Sequence, residues 1–367
     1  MLRKLPFYLK TTIILLGLTL SAYILYALHG ILIPLCFALF LAMLLNPLYC
    51  RLMRWKIPKV PAIALTLLIA VLLLSGISYF LFTQFMHLTD QLPLLQKKSA
   101  ALLDKGQNEL AQHYGIPLDK QNRWLEEARK GIKSLAGPFL GTMIGTLSTL
   151  FLLPVYTFLF LYYKVLILDF LYEIFAEKNI AEVSTVLRHV KSAIQNYMFG
   201  LLVEGLIVAS LNALALLALG VPYAILLGIL GALLNVLPFV GGILAAFLPI
   251  LMATITKDGI HTQIGIAISY IVIQFIDNHF LIPYIVSAKV RINALISIVV
   301  VLLGGALWGI SGMFLSIPFI GVLKIIFDRV PELRPWGKLL GDEVPLRHRG
   351  QIRIVHKTKS AVQKHTV

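Results

Sequence analysis

Long apolar runs alternate with short basic segments along almost the whole chain. Runs at 11–28, 31–49, 61–82, 138–163 and 197–219 each approach the roughly 20 apolar residues that a helix needs to cross a bilayer's hydrocarbon core. Two later runs are too long for one straight span. The run 221–255 is broken by Asn235, Pro238, Gly241 and Gly242, and the run 292–327 by Gly304-Gly305, Gly309 and Gly312. Between them a further crossing covers 264–282. The pattern predicts an all-α polytopic membrane protein with about six full spans. Each long run is either a broken, re-entrant hairpin or two ordinary spans with a tight turn.

A unit of one span plus one long broken run therefore occurs twice. If the broken runs are hairpins, the placement of basic residues gives the two copies opposite orientations. That inverted repeat is the arrangement in which secondary transporters build a midplane site. Broken backbone at membrane depth is tolerated only where it is buried in protein or lines a watery cavity. The expected organisation is a three-span segment over 1–83 and an extracytoplasmic helical insertion over 84–137. A fourth span with a cytoplasmic amphipathic segment follows over 138–196, then a transport core over 197–327 and a basic cytoplasmic tail over 328–367.

Composition agrees with the pattern. Of 367 residues 59% are hydrophobic and 13% charged, against about a quarter charged in soluble domains. The formal charge of +15 sits in short segments between the runs. Arg51, Arg54, Lys56 and Lys59 form one such loop, Lys289 and Arg291 another, and the tail from Arg347 has bases and no acid. That is the cytoplasmic-side bias of a membrane protein, so both termini are expected in the cytoplasm of a bacterial inner membrane. No basic–aromatic module points to nucleic acid. The basic tail is suited to anionic lipid. Cys36 and Cys50 lie in or at the end of an apolar run without metal-site spacing. The first run has no cleavage-site pattern after it and reads as a retained span.

Two features add packing and a connector. Gly137, Gly141 and Gly145 fall on one helix face, a device for close helix approach in lipid; such packing faces suggest a homo-oligomer. The insertion carries both signs of charge with apolar residues at helical spacing, which predicts amphipathic helices, either a solvated connector or a regulatory cover.

The candidate chemistry lies at Gln274-Phe275-Ile276-Asp277-Asn278. An acid at bilayer depth is costly and commonly marks an ion or substrate path. Gln274, Asp277 and Asn278 share a face at i, i+3 and i+4, and Pro283 is expected to end the helix. A second acid, Glu204, lies in the run 197–219, followed by Gly205 and Asn212. The alternatives are that Asp277 caps or snorkels at the headgroups and that Glu204 pairs with Arg188 or Lys191.

Three stretches carry a family resemblance. Val221-Pro-Tyr-Ala-Ile-Leu-Leu-Gly228 with Leu234-Asn-Val-Leu-Pro-Phe-Val-Gly-Gly242, the Gln274–Asn278 stretch followed by Pro283, and Gly304-Gly-Ala-Leu-Trp-Gly-Ile-Ser-Gly312 through Pro318 resemble the signature of the autoinducer-2 exporter family. The resemblance spans the first run to about Asp342 and is most specific in the second half. It implies export of autoinducer-2 or, as in other members, sodium- or lithium-for-proton exchange. The chain departs from the family pattern in carrying aspartate at 277, where many members carry glutamate, which keeps the acid on a shorter arm. The order of glycine and proline near Gly242 also differs.

The resulting expectation is a secondary transporter of a small hydrophilic solute or monovalent cation, coupled to protons or sodium. Asp277 and Glu204 would be the coupling acids, since a carboxylate exposed alternately can be protonated or ion-bound in turn. Gln274, Asn278 and Asn235 would give neutral contacts. Hairpin tips at Pro238, Gly241 and Gly242 and at Gly304, Gly305, Gly309 and Gly312 would supply free helix ends. No cofactor or metal is expected. The scattered histidines and the lack of His-Glu-x-x-His spacing or a serine–base pairing argue against an intramembrane enzyme. A non-transporting scaffold is the other alternative.

Overall fold

The computed structural model describes residues 6–90, 92–115, 117–123, 126–127, 130, 152–175, 180–235, 241–257, 259–286 and 292–342. Pro238, the glycine face at 137–145, Lys289, Arg291 and the basic tail from Arg347 lie outside them. The regular secondary structure among the described residues is all helical, as apolar chain in lipid must be to satisfy its own backbone.

Helices α1 (Phe7–Ala27), α2 (His29–Arg54) and α3 (Lys59–Asp90) are the first three apolar runs. The chain turns at Leu28 between α1 and α2. Helix α1 has no buried residue, as befits a span facing lipid. Helix α4 (Leu92–Tyr114) is the expected helix of the polar insertion. It is tied to the residues that follow by Gln107 Nε2 donating to Asn122 Oδ1 at 2.9 Å. Helix α4 rests against α9 (Gly241–Thr256), so the insertion is packed on the bundle rather than being a free connector.

Helix α5 is described over Leu152–Tyr162, and α6 (Lys164–Phe175) leaves it at 62°. Lys164 at this bend donates to Asn46 Oδ1 of α2 at 2.9 Å. Helix α7 (Ile180–Ala218) begins well before the apolar run at 197–219. The polar residues 180–196 and the apolar run that follows form one helix of 39 residues, about 58 Å long. A change of surface from polar to apolar does not interrupt backbone hydrogen bonding, so no break marks the entry into lipid.

Helices α8 (Ala224–Asn235) and α9 form the first hairpin. At about 18 and 24 Å they are shorter than the roughly 30 Å hydrocarbon core. A Cβ on Gly241 would run into the carbonyl of Leu234 and the backbone of Asn235, so the chain folds back on itself there. The hairpin starts beside the far end of α7, where Val221 and Ala224 pack with Leu216 and with Ile266 of α10 (His261–Ile276). It descends until Ala232 packs with Val208 and Ile273. The arms thus return without spanning, which favours the re-entrant reading over two full crossings.

Helix α10 continues into a π-helical stretch, Asp277–Val286. Pro283 therefore does not stop the helix. Proline clashes with the carbonyl four residues back in an α-helix, and the wider π winding accommodates it; π segments commonly accompany functional sites.

The second hairpin is α11 (Ala294–Arg329), whose two arms meet at Trp308 and Gly309. Ser316 Oγ donates to the carbonyl of Val300 at 2.9 Å. Those residues would be about 24 Å apart in a straight helix, so the long run is folded. Gly309 has φ 59 and ψ −141, backbone that glycine alone adopts cheaply. The first arm, 294–307, is about 21 Å long and also too short to span. This hairpin lies on the other half of α7, where Leu315 packs with Ile194 and with Phe40 of α2. Helix α12 (Arg334–Leu340) closes the described chain against α11.

Candidate functional site

The first hairpin, α7 and α10 meet around a buried carboxylate. Asp277, 1% exposed, sits where α10 passes into π winding. Asn235, the last residue of α8, donates from Nδ2 to Asp277 Oδ2 at 2.8 Å. Gln274, one turn earlier on α10, donates from Nε2 to the same oxygen at 3.4 Å and to Asn278 Oδ1 at 3.3 Å. The face expected from i, i+3, i+4 spacing is present. Asp277 Oδ1 is buried without an amide or hydroxyl donor.

The Glu204 side chain, 7% exposed, faces this carboxyl from α7. Two buried carboxyls this close repel when both are ionised. The alternative pairing of Glu204 with Arg188 or Lys191 does not form. Those residues lie 16 and 13 positions back on the same straight helix, about 24 and 20 Å away. Asp277 is likewise no headgroup cap, being enclosed by α7, α8 and α10.

The ends of the two hairpin arms, Asn235 and Gly241-Gly242, flank this cluster. A side chain on Gly242 would overlap the Gln274 carboxamide, so the missing Cβ lets Gln274 reach both Asp277 and the start of α9. A helix start of this kind carries the positive end of the helix dipole. Asn278 is exposed, while Asn235 and Gln274 are half-buried, leaving the cluster one open edge. His279 turns away, its Nδ1 against the Phe275 carbonyl at 3.0 Å and its ring stacked on Phe275.

Glu204, Asn235, Gly241, Gly242, Gln274, Asp277 and Asn278 are therefore brought together. Gly304, Gly305, Gly309 and Gly312 are not part of the cluster; Gly304, Gly305 and Gly312 let the arms of the second hairpin pack on each other, and Gly309 makes the turn between them. Its tip residue Trp308 donates from Nε1 to the Leu25 carbonyl of α1 at 2.9 Å. Sequence reading passed over Tyr270 and Gly231, which stand two turns along the same seam beside Asn212. The available signal was Asn212 itself, eight residues after Glu204 in an apolar run. Among the described residues no cluster of three or more His, Cys, Asp or Glu could hold a metal ion.

A family model described as AI-2E family transporter matches residues 12–332. The chain is 26% identical over 315 residues to the AI-2 transport protein TqsA of Escherichia coli, covering 85% of this chain and 90% of that protein. It is 24% identical over 339 residues to a putative transport protein of Haemophilus influenzae, covering 90% and 93%. A Bacillus subtilis relative, the putative transport protein YrrI, is 28% identical over 151 residues, 41% of this chain and 42% of its own length. The family match contains the long apolar helices, both hairpins and the carboxyl pair, and the chain belongs to the AI-2E family of multi-pass membrane transporters.

Proposed function

We propose that the protein is a secondary transporter in which the Asp277–Glu204 pair couples movement of a small hydrophilic solute or monovalent cation to protons or sodium. The observation that carries this reading is the enclosure of Asp277, 1% exposed, between the hairpin tip at Asn235 and the Glu204 carboxyl. A carboxylate in that position costs about 3 kcal/mol or more in a bilayer. It is held by amide donors from Asn235 and Gln274, groups that stabilise the ionised form without neutralising it permanently. A lysine or arginine partner would lock the charge; among the described residues the contacts to this carboxyl come from amides and a second acid. Such a site can exchange a proton for a cation or a polar solute as its open edge changes sides.

The resemblance to TqsA makes an AI-2-type signal the first solute to test. Asn278 and Gln274 at the open edge would meet it first. Both termini lie in the cytoplasm of a bacterial inner membrane on this reading, following the basic loops, and homo-oligomers are formed through the packing faces.

Proteoliposomes holding wild type or Asp277→Asn test the proposal. AI-2 uptake and sodium or lithium uptake are each followed with and without an imposed pH gradient. The expected result is gradient-driven uptake of at least one of these by wild type and none by the variant. Equal uptake by both proteins would remove Asp277 from the coupling step.

A further inference from the structure

Three apolar helices meet at one face of the bundle, and their ends there are basic. Leu52 of α2, Ala62 and Ile63 of α3 and Leu161 of α5 pack in one buried cluster. The chain between α2 and α3 turns tightly through Lys56, whose φ is 60. Arg51 and Arg54 close α2, Lys59 opens α3, and Lys164 stands at the bend after α5. Among the described residues none of these five bases is in an ion pair. Asp169 and Glu173 of α6, the next acids along the chain after Lys164, do not pair with them either.

Two of the five are half-buried and are held by neutral groups. Lys164 Nζ donates to Oδ1 of the buried Asn46 at 2.9 Å. Lys59 Nζ lies 4.6 Å from the centre of the Tyr162 ring, which is itself stacked on Phe158 and edge-on to Tyr163. An amide and an aromatic ring orient an ammonium without cancelling its charge. Lys324 gives the contrast, being paired with Asp328 at 2.6 Å. Helix electrostatics do not favour Lys59 where it stands, because the first turn of α3 has no acid and the dipole is positive there. The junction also opens outward. Trp55, Val60, Tyr163, Val165 and Leu166 are exposed, and aromatic residues of this kind collect at the level of lipid headgroups.

We infer that the junction of α2, α3 and α5 is a binding site for an anionic phospholipid, whose phosphate is held by Lys59 and Lys164 with Arg51 and Arg54 beside them. Basic loops orient a membrane protein by their number alone. Number does not explain why one lysine is set over a tyrosine ring and another on a buried asparagine. A partly desolvated cation without a counter-charge is costly, and a lipid phosphate supplies that charge from the bilayer in which the junction lies. Basic pockets between spans are suited to such headgroups. The exposed apolar residues select a lipid over a free phosphate, since Val60, Val165 and Leu166 offer acyl chains a surface that a soluble anion leaves bare. The site stands apart from the carboxyl pair and does not depend on what that pair couples.

The test titrates full-length protein, stripped of lipid in detergent, with phosphatidylglycerol, cardiolipin or the zwitterionic phosphatidylethanolamine, and counts bound lipid by native mass spectrometry. Wild type should bind at least one of the two anionic lipids about ten-fold more tightly than phosphatidylethanolamine. Lys59→Gln combined with Lys164→Gln should weaken that binding about thirty-fold, the effect of two surface bases. Its unfolding temperature without lipid should stay at the wild-type value. Lys59→Arg combined with Lys164→Arg keeps both charges and should keep the binding. Equal affinity of wild type for anionic and zwitterionic lipid overturns the site, whatever the variants do. So does loss of binding in the arginine variant, which would make the lysines structural. An equal loss in Arg334→Gln combined with Lys338→Gln, two exposed bases of α12, overturns it as well, because general charge would then account for the affinity. Displacement of the lipid by excess inorganic phosphate overturns the assignment to a lipid.

Discussion

The two hairpins have similar apolar composition and lie on opposite halves of α7, yet their polar atoms are handled differently. In the second, Ser316 Oγ lies against the carbonyls of Val300 and Gly312, and Trp308 is tied to α1. Gly304 and Gly312 bring the arms into backbone contact. Nothing polar described in that hairpin waits for a partner. In the first, Asn235 reaches out of the hairpin to Asp277, 42 positions along the chain, and Asn212 and Tyr270 face it with unpaired atoms. Internal satisfaction makes a rigid element, whereas open polar valence makes a binding element. One hairpin is thus satisfied within itself, while the other meets polar groups of neighbouring helices.

Substitutions separate the two roles. The largest effect is expected at Asp277. Asp277→Asn keeps size and hydrogen bonding but removes the exchangeable charge, and coupled flux in proteoliposomes should fall by on the order of a hundred-fold or more, with thermal unfolding in detergent little changed. Next is Gly312→Val in the second hairpin. Its added carbons meet the Gly304 carbonyl and Trp308, and overpacking of this kind costs about 1–3 kcal/mol. The expected outcome is a lowered unfolding temperature and reduced membrane yield, with the surviving protein retaining its proton coupling.

Gly242→Ala sharpens the contrast. Its added carbon displaces only the end of the Gln274 side chain, so unfolding should move little while coupled flux drops about ten-fold through the lost support of Asp277. The smallest effect belongs to Ser316→Ala. Removing a hydroxyl that sits on backbone carbonyls costs about 1 kcal/mol and should leave transport rates at the wild-type level. Equal flux losses in Gly242→Ala and Ser316→Ala would erase the distinction between the hairpins.

Much of this organisation was legible in the chain itself. Apolar runs of bilayer length marked the spans, and two overlong runs with Asn, Pro and Gly interruptions marked the hairpins. Acids inside lipid-length runs are expensive enough that Glu204 and Asp277 stood out without any structure. Pairing was not legible. Nothing local says that Glu204 faces Asp277, because that contact depends on how α7 and α10 rotate when α8 is inserted between them. The continuity of α7 was hidden because polarity changes at residue 197 while helix propensity does not. Tyr270 was invisible for another reason: tyrosine is ordinary near membrane interfaces, and only its burial beside Gly231 gives it meaning. The glycines of the second tip read as a site by analogy with the first, but their spacing serves close packing.

The most direct measurement is proton movement into proteoliposomes, recorded with an entrapped pH-sensitive dye, for Asp277→Asn and Glu204→Gln beside wild type. If the carboxyl pair is the coupling site, wild type moves protons when sodium, lithium or AI-2 is added, and each single substitution stops that movement in protein that remains folded. Proton movement at the wild-type rate in Asp277→Asn would contradict the account.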